Sequence, residues 1–331
     1  MTLPRLRLVH GPTPLVTLPR LSSRLGIDLW IKRDDATGGV EAGNKLRKLE
    51  YLVADALAKG ADTLVTCGAV QSNHCRATAA VAARFGLRCR VLLRSTDVTR
   101  APPLTGNFQL MQLLGADIVL ITPAEYAARS QLLAAHAAKL QASGRVPYVI
   151  PEGGSNGLGS LGYVEAMREV RAQLDAGLAG GQPFDLVVLA CGSGGTAAGV
   201  TVGAGLYGVA KEVRAFAVCD DAKTFETAIA RIRKELSLVD ARCVGGARLV
   251  VDETARGPGY GVSSPEQLRS LVEAARSFGL VLDPVYTGKA FFGLQRAIAS
   301  EPRLLGSRIL FLHTGGLPGL LAEGAALEGF L

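Results

Sequence analysis

The sequence predicts an α/β protein of two open, twisted, parallel-sheet domains, and three observations lead there. Short runs rich in β-branched residues alternate with alanine-rich segments of helical period, the pattern of strands joined by crossover helices. Small-residue loops follow two of these strands directly, at the strand ends where such sheets bind ligands. At 331 residues the chain also exceeds what one core organises well, so about two domains are expected.

The elements follow in order. Residues 28–32 (Asp-Leu-Trp-Ile-Lys) read as a strand, and 48–59 put Leu49, Leu52, Val53 and Ala56 on one helical stripe. Residues 63–67 are a buried-type strand, 73–85 an alanine-rich helix, and 89–93 and 117–122 two further strands. A helix at 124–143 and a strand at 147–150 complete this series, which the turn Pro151-Glu152-Gly153-Gly154-Ser155-Asn156 ends. Strands then recur at 185–190, 213–218, 248–251 and 308–312, with helices at 197–206 and 265–278. Pro102-Pro103 and 177–183 are loops, and no repeat or low-complexity tract interrupts the pattern. We read a small α/β domain, 48–156, inserted into a larger cofactor-binding domain formed by 1–47 and 157–331.

Composition narrows the function. With 48% hydrophobic and 20% charged residues this is an ordinary globular chain. The net charge of +7 contains no block of five like charges, and aromatics are only 5%, so nucleic acid is not an expected partner. A site for phosphate and carboxylate accounts for the charge better. The cysteines at 67, 75, 89, 191, 219 and 243 form no CxxC and have no His-x-x-x-His partner, so neither disulfide nor metal is expected. Residues 186–210 carry no charge, but seven glycines and a Gly-Ser-Gly-Gly turn break any spanning helix. The N-terminal residues lack a secretory apolar core, so the expected compartment is the cytoplasm, without membrane association.

Three motifs carry the chemistry. Lys45 stands in Ala42-Gly43-Asn44-Lys45-Leu46-Arg47-Lys48, Gln71-Ser72-Asn73-His74 follows one strand, and Gly192-Ser193-Gly194-Gly195-Thr196 follows another. An amine in a small-residue turn, a hydroxyl-amide loop and a glycine-rich anion cradle together suit a pyridoxal-phosphate site, the lysine bonding the cofactor aldehyde and the cradle its phosphate. Each has a plainer reading. A lysine beside Gly-Asn is ordinarily a solvated turn residue, and Ser72 or Asn73 is a good helix N-cap. His74 reads as a core histidine ahead of a catalytic one. A dinucleotide site competes for the Gly192 loop because Asp220-Asp221 end the next strand, but it leaves Lys45 and Ser72 without a task. Near the C-terminus, Asp283-Pro284-Val285-Tyr286-Thr287-Gly288-Lys289 and His313-Thr314-Gly315-Gly316 place hydroxyls at turns and strand ends, suited to a ring edge or a proton path.

The chain resembles the D-cysteine desulfhydrase and 1-aminocyclopropane-1-carboxylate deaminase family, of fold type II (tryptophan synthase β-like) among pyridoxal-phosphate enzymes. The likeness runs through Thr13-Pro14-Leu15, Ile31-Lys32-Arg33-Asp34-Asp35, Gly43-Asn44-Lys45, Arg47-Lys48-Leu49-Glu50, Gln71-Ser72-Asn73-His74, Gly153-Gly154-Ser155-Asn156, Gly259-Tyr260-Gly261 and the two C-terminal clusters. It implies that Lys45 bonds the cofactor, that Asn73 contacts the ring oxygen and that residues 192–196 bind phosphate, with Lys48 adding a contact. It implies that Ser72, Tyr260 and Tyr286 line the substrate pocket, which Gln71, Asn73 and His74 would share, and that Lys45, Ser72 and Tyr286 are catalytic. It also places Thr287 and Thr314 at the cofactor, where deaminase members carry glutamate and leucine. Ala42 departs from the glycine of relatives; if its turn needs positive φ, it is strained.

The expected activity is a pyridoxal-phosphate lyase that converts D-cysteine to pyruvate, ammonia and hydrogen sulfide. L-Cysteate or another β-substituted alanine ranks next, then the cyclopropane amino acid; a cofactor-storage or ligand-sensing module is the non-enzyme alternative. The expected partners are a small amino-acid substrate and a second copy of the chain.

Overall fold

The computed structural model describes residues 3–331. Among the described residues ten strands form two sheets: β1 (Leu15–Thr17), β2 (Asp28–Arg33), β3 (Thr63–Ala69), β4 (Arg88–Arg94), β5 (Asp117–Ile121), β6 (Pro147–Val149), β7 (Phe184–Cys191), β8 (Ala210–Ala217), β9 (Arg248–Asp252) and β10 (Arg308–His313). The first sheet runs β1-β2-β10-β7-β8-β9 and the second β5-β4-β3-β6. All pairings are parallel except β1 with β2, where Leu15 faces Lys32. β1 is the strand sequence patterning did not reveal; three residues between Pro14 and Pro19 are too few to show a period.

The helices are α1 (Pro19–Leu25), α2 (Asn44–Ala58), α3 (Asn73–Arg84), α4 (Gly106–Leu113), α5 (Pro123–Ala127), α6 (Arg129–Ala142), α7 (Gly157–Asp175), α8 (Gly195–Leu206), α9 (Ala222–Val239), α10 (Pro265–Phe278), α11 (Thr287–Ser300), α12 (Leu317–Leu321) and α13 (Gly324–Leu327). The segment expected as one helix at 124–143 is two, broken at Ala128 (φ −93°, ψ 23°). A capping box of Thr122 and Glu125 starts the first, which leaves Tyr126 buried against Val65, Cys67 and Leu92.

Each sheet has its own apolar core. Leu46, Leu49, Leu52, Val53 and Ala56 of α2 join Leu64, Val91 and Phe108 beneath the four-stranded sheet, and Leu8 from the N-terminal segment packs with them. Helix α2 therefore runs unbroken across residues 47 and 48, rooted on both sides. Its packing on α7 is backbone to backbone: a Cβ at Gly162 would sit 2.1 Å from the Arg47 carbonyl oxygen, so only glycine fits there. In turn α8 packs on α7 at Gly199, where a Cβ would come within 2.3 Å of Ser160 O. Three helices thus stack closely, and two of them carry the lysine and the glycine-rich loop.

A buried charge network fixes the same helix. Arg47 donates to both carboxylate oxygens of Asp34 (2.8 and 2.8 Å), to Thr13 Oγ1 (3.0 Å) and to Glu169 (3.1 and 3.0 Å). Lys32 donates to Glu169 (2.5 Å) and Gln173 (2.7 Å), and Tyr163 to Asp34 (2.7 Å). Every buried charge here has both an opposite charge and hydrogen-bond partners, the condition under which such groups are tolerated.

Candidate active site at the cleft between the sheets

Helix α2 begins at Gly43, whose φ of 120° is closed to most side chains. Ala42 is not at positive φ, so the departure there carries no strain of that kind. Its carbonyl accepts from Arg76 (2.8 Å), and the Asn44 amide donates to Thr314 O (3.1 Å), which docks the helix start on the end of β10. Lys45 lies in this first turn and lines a cavity with Ser72, Asn73, His74, Glu152, Gly192, Ser193, Gly194, Thr196, Tyr260, Tyr286 and Thr314. Burial lowers Lys45 to about 8, opposed by the nearby carboxylates of Glu152 and Asp283. The positive end of α2 disfavours an ammonium in the same direction.

Opposite stands the N-terminus of α8. Its N-cap is Gly194 (φ 83°), which offers no side-chain acceptor, so the first-turn amides point at the cavity unsatisfied by a cap. A Cβ at Gly195 would lie 2.6 Å from Ser155 Oγ and 2.8 Å from Lys48 Nζ, and one at Gly192 would lie 2.9 Å from the Tyr286 ring. The loop is therefore as small as its surroundings require. Asn44 donates to Thr196 Oγ1 (3.0 Å), tying α2 to α8 across the cavity.

Lys48 is placed behind this loop, not on the cavity wall. Its ammonium donates to Gly153 O (3.0 Å) and Ser155 Oγ (3.2 Å), and Ser155 Oγ is 2.8 Å from Ser193 Oγ. Burial pulls Lys48 well below its ordinary value, with Lys45 acting in the same direction. An anion held in the cradle would favour its charged form, and Lys48 would then add positive potential from below.

Ser72 serves as the N-cap of α3, accepting from the Cys75 amide (3.2 Å), and still faces the cavity. The cap reading and the site reading are compatible. Asn73 accepts from Asn107 Nδ2 (2.9 Å), which holds its side chain in place. His74 Nε2 is 2.8 Å from Thr66 Oγ1, whose own proton goes to Ile150 O (2.8 Å). The histidine therefore carries its proton on Nε2, and the buried Nδ1 has no protein partner. Burial and then the two lysines push it well below the ordinary histidine range.

Two expected residues point elsewhere. Gln71 accepts from the Asn107 amide (2.8 Å) and donates to Thr105 O (3.1 Å), so its amide is used in fastening α4. Thr287 donates to Asp283 Oδ1 (2.6 Å) and accepts from the Asp283 amide (2.9 Å); it is held at the start of α11 by Asp283, whose carboxylate also accepts from the first amides there, and does not line the cavity. Thr314 does line it. The phenols of Tyr260 and Tyr286 meet at 2.7 Å. Burial raises Tyr286 well above its ordinary value, and Tyr260 adds to this.

Glu152 was missed as a site residue because the sequence shows it only inside a turn. It lines the cavity while accepting from Tyr126 (2.5 Å) and pairing with Arg129 (2.7 Å). Its signal was its place directly after the strand at 147–150. Ala69, Glu152, Gly192, Ser193 and Tyr260 also border an adjoining cleft of about 660 Å³ that carries Arg94, Arg129 and Arg231. Among the described residues no cluster of three or more His, Cys, Asp or Glu side chains is placed to hold a metal, and no helix is long and apolar enough to cross a membrane.

The family described as pyridoxal-phosphate dependent enzyme matches residues 6–315. The chain belongs to it. The chain is 43% identical over 326 residues to a bifunctional D-cysteine desulfhydrase/1-aminocyclopropane-1-carboxylate deaminase, mitochondrial, of Arabidopsis thaliana, covering 95% of this chain and 78% of that protein. To the D-cysteine desulfhydrase of Yersinia pestis (strain Pestoides F) it is 44% identical over 321 residues, 96% of each. The crystal structure of an ACC deaminase homologue superposes with a TM-score of 0.89 at 35% identity, covering all of this chain and 97% of that one. The two-sheet architecture is that of fold type II.

Pyridoxal phosphate is accordingly the cofactor of this pyridoxal-phosphate enzyme, and the residues present fit it. An uncapped helix start receives an anion, Lys48 stands behind it as an amine whose charged form that anion would favour, and the Lys45 amine, with its lowered pKa, faces the same cavity.

Proposed function

We propose that this lyase eliminates sulfide from D-cysteine, with water completing its conversion to pyruvate, ammonia and hydrogen sulfide. When bound, pyridoxal phosphate supplies the electron sink for negative charge at the substrate Cα. The α8 amides and Ser193 would hold its phosphate, Asn73 its ring oxygen and Lys45 its aldehyde carbon. The Asn73 amide and the Ser72 hydroxyl would receive the substrate carboxylate, the Ser72 amide being engaged by Ala69 O (3.0 Å).

Lys45 Nζ, when not bonded to the cofactor, would be suited to remove the Cα proton, because a value of about 8 leaves a useful neutral fraction near neutrality. Tyr286 is suited to the opposite task. Held well above its ordinary value, its hydroxyl stays protonated and can donate to the departing sulfur, with Tyr260 at 2.7 Å replacing that proton.

The observation that favours D-cysteine over the cyclopropane amino acid is the pair Thr287 and Thr314, where the family resemblance gives glutamate and leucine for deaminases. Thr314 offers the cavity only a hydroxyl and Thr287 is turned to Asp283, so neither can hold a pyridine nitrogen protonated as a carboxylate does, and sulfide, a good leaving group, needs only a weaker sink. The relatives named D-cysteine desulfhydrase support the same choice. We further propose that 1–47 with 157–331 and 48–156 act as the two domains, that the chain pairs with a second copy, and that it works in the cytoplasm.

The test is a coupled pyruvate and sulfide assay across D-cysteine, L-cysteine, L-cysteate and 1-aminocyclopropane-1-carboxylate. Fastest sulfide release from D-cysteine is expected; faster ring opening than sulfide release overturns the substrate assignment. Lys45→Ala should lose both turnover and the yellow absorbance of the lysine-bound cofactor, whereas retention of both would remove Lys45 from its role.

A further inference from the structure

Lys289 is completely buried in the first turn of α11, yet it takes no part in the chemistry above. Its ammonium donates to three backbone carbonyls: Gly259 O at 2.7 Å, Arg256 O at 2.8 Å and Val218 O at 3.0 Å. An ammonium has three N–H donors, so charged Lys289 matches this nest one for one, whereas a neutral amine would leave a carbonyl unserved. The placement is not a comfortable one. Burial lowers Lys289 to about 8, and the positive end of α11 opposes a cation there. A methionine would fill the space without either cost, so the charge points to a use.

The carbonyls show what that use is. Two belong to the segment 256–261, which lies outside any helix or named strand and contains Gly257 (φ 69°), Gly259 and Gly261 (φ 73°). Its other fastenings are few: the Arg256 amide donates to Glu253 O (3.0 Å), the Arg94 guanidinium lies over the Tyr260 ring (5.2 Å), and an isolated bridge joins Gly259 and Val262. Tyr260 lies in the middle of it, its ring at right angles to Tyr286 (76°, centroids 6.1 Å apart) and its hydroxyl on the Tyr286 hydroxyl. Tyr286 is the residue before α11, three positions from Lys289. One helical turn therefore presents one phenol directly and holds the other through the ammonium. The third carbonyl, at the end of β8, anchors the arrangement to the sheet.

We propose that Lys289 is a positioning residue, a tethered cation whose grip on the Gly259–Gly261 loop sets the Tyr260 hydroxyl against Tyr286 and so supports turnover without contacting substrate or cofactor. This rests on the reading of the two phenols as the proton-donating pair. The tether itself can be tested apart from that reading.

In Lys289→Gln the amide has two donors for three acceptors. The variant is expected to keep the yellow cofactor absorbance, to exchange backbone amide hydrogens faster at residues 256–262 than elsewhere, and to lose about tenfold in kcat, a fraction of what a positioned acid contributes. Unchanged exchange at 256–262 overturns the tether, whatever the activity. A double-mutant cycle with Tyr260→Phe separates action through Tyr260 from general damage: losses that do not add support the proposal, and fully additive losses overturn it. If Tyr260→Phe alone turns over like the wild type, the phenol reading fails, and the exchange data still decide the tether. Lys289→Ala adds a rescue arm, since it vacates a nest that ammonium ion fits. Ammonium chloride should raise its kcat severalfold over sodium chloride at equal ionic strength and leave the wild type unaffected. If the alanine variant folds and ammonium gives no more than sodium, the ammonium nest is not what matters.

Discussion

Replacing Arg47 with methionine tests how far the buried charges, rather than glycine packing alone, set the helix that carries Lys45. The side chain supplies five hydrogen bonds, two of them to an Asp34 carboxylate with no exposure at all. Removing one partner of such a pair costs about 3–5 kcal/mol because the other charge is left buried. Asp34 would keep hydroxyl donors from Thr13 (2.8 Å) and Tyr163 (2.7 Å), which favours the lower end. With about 2.1 cal/mol/K per residue, a chain of 331 residues unfolding as one unit has an entropy near 0.7 kcal/mol/K, so a loss of about 3 kcal/mol lowers Tm by about 4 °C.

Acid adds a second signature of the same substitution. Burial alone would raise Asp34, but Arg47 overrides it and holds the carboxyl below its ordinary value. Its contribution is thus present above the unfolded carboxylate pKa and is lost as pH falls through the lower folded value. Without the guanidinium, buried Asp34 takes up a proton more readily, so the gap between wild type and variant should be widest at neutral pH and shrink on acidification. Urea unfolding followed by the fluorescence of Trp30, the single tryptophan and a β2 residue like Lys32, measures it. A neutral-pH gap under about 1 kcal/mol, the size of an ordinary substitution, would refute the reasoning, as would a gap that widens in acid.

Tyr286→Phe should keep the cofactor but slow turnover by about 10²-fold, the range for a lost acid or base, while unchanged kcat would reduce the ring to packing. Thr287→Glu with Thr314→Leu should lower D-cysteine turnover and raise opening of the cyclopropane amino acid, both measured in wild type and double variant. Because Thr287 abuts Asp283, a loss of stability with neither activity altered would refute the electronic argument. Cofactor-free protein should take up pyridoxal phosphate at a rate that climbs as pH rises through about 8, since the neutral Lys45 amine is the attacking group. Stopped-flow absorbance would show this, and a rise only near the ordinary lysine value of 10.5 would argue against a lowered Lys45.

Nine strands were legible because parallel strands buried on both faces read as continuous apolar runs, as at Leu186–Leu189 and Ile309–Leu312. The helix at 265–278 was readable end to end from its proline and its apolar stripe. The cavity lining was legible wherever a residue sits at the carboxyl end of a strand, which covers Ser72, the 192–196 loop and Thr314. What escaped were consequences of side-chain direction. Gln71 is adjacent to Ser72 in sequence, yet its amide turns to Thr105 and Asn107, and Thr287 follows Tyr286 but faces Asp283. Neighbouring positions at a helix start diverge by about 100°, and spacing alone does not say which one faces the ligand. Nor did it show that Lys48 lies behind the cradle, because that depends on Gly153 and Ser155 arriving from over 100 residues away.

The interior amines differ in a way that bears on covalent labelling. Lys32, Lys48 and Lys289 are sealed, each donating to backbone carbonyls that leave no approach for a reagent. Lys45 faces a cavity, and its nucleophilic form is populated at mildly alkaline pH. A small aldehyde followed by a hydride donor would therefore tag cofactor-free protein at this interior position while sparing the other three, and pyridoxal phosphate would shield it. Tagged fraction, read by peptide mass, would count empty sites in a preparation without any need for substrate.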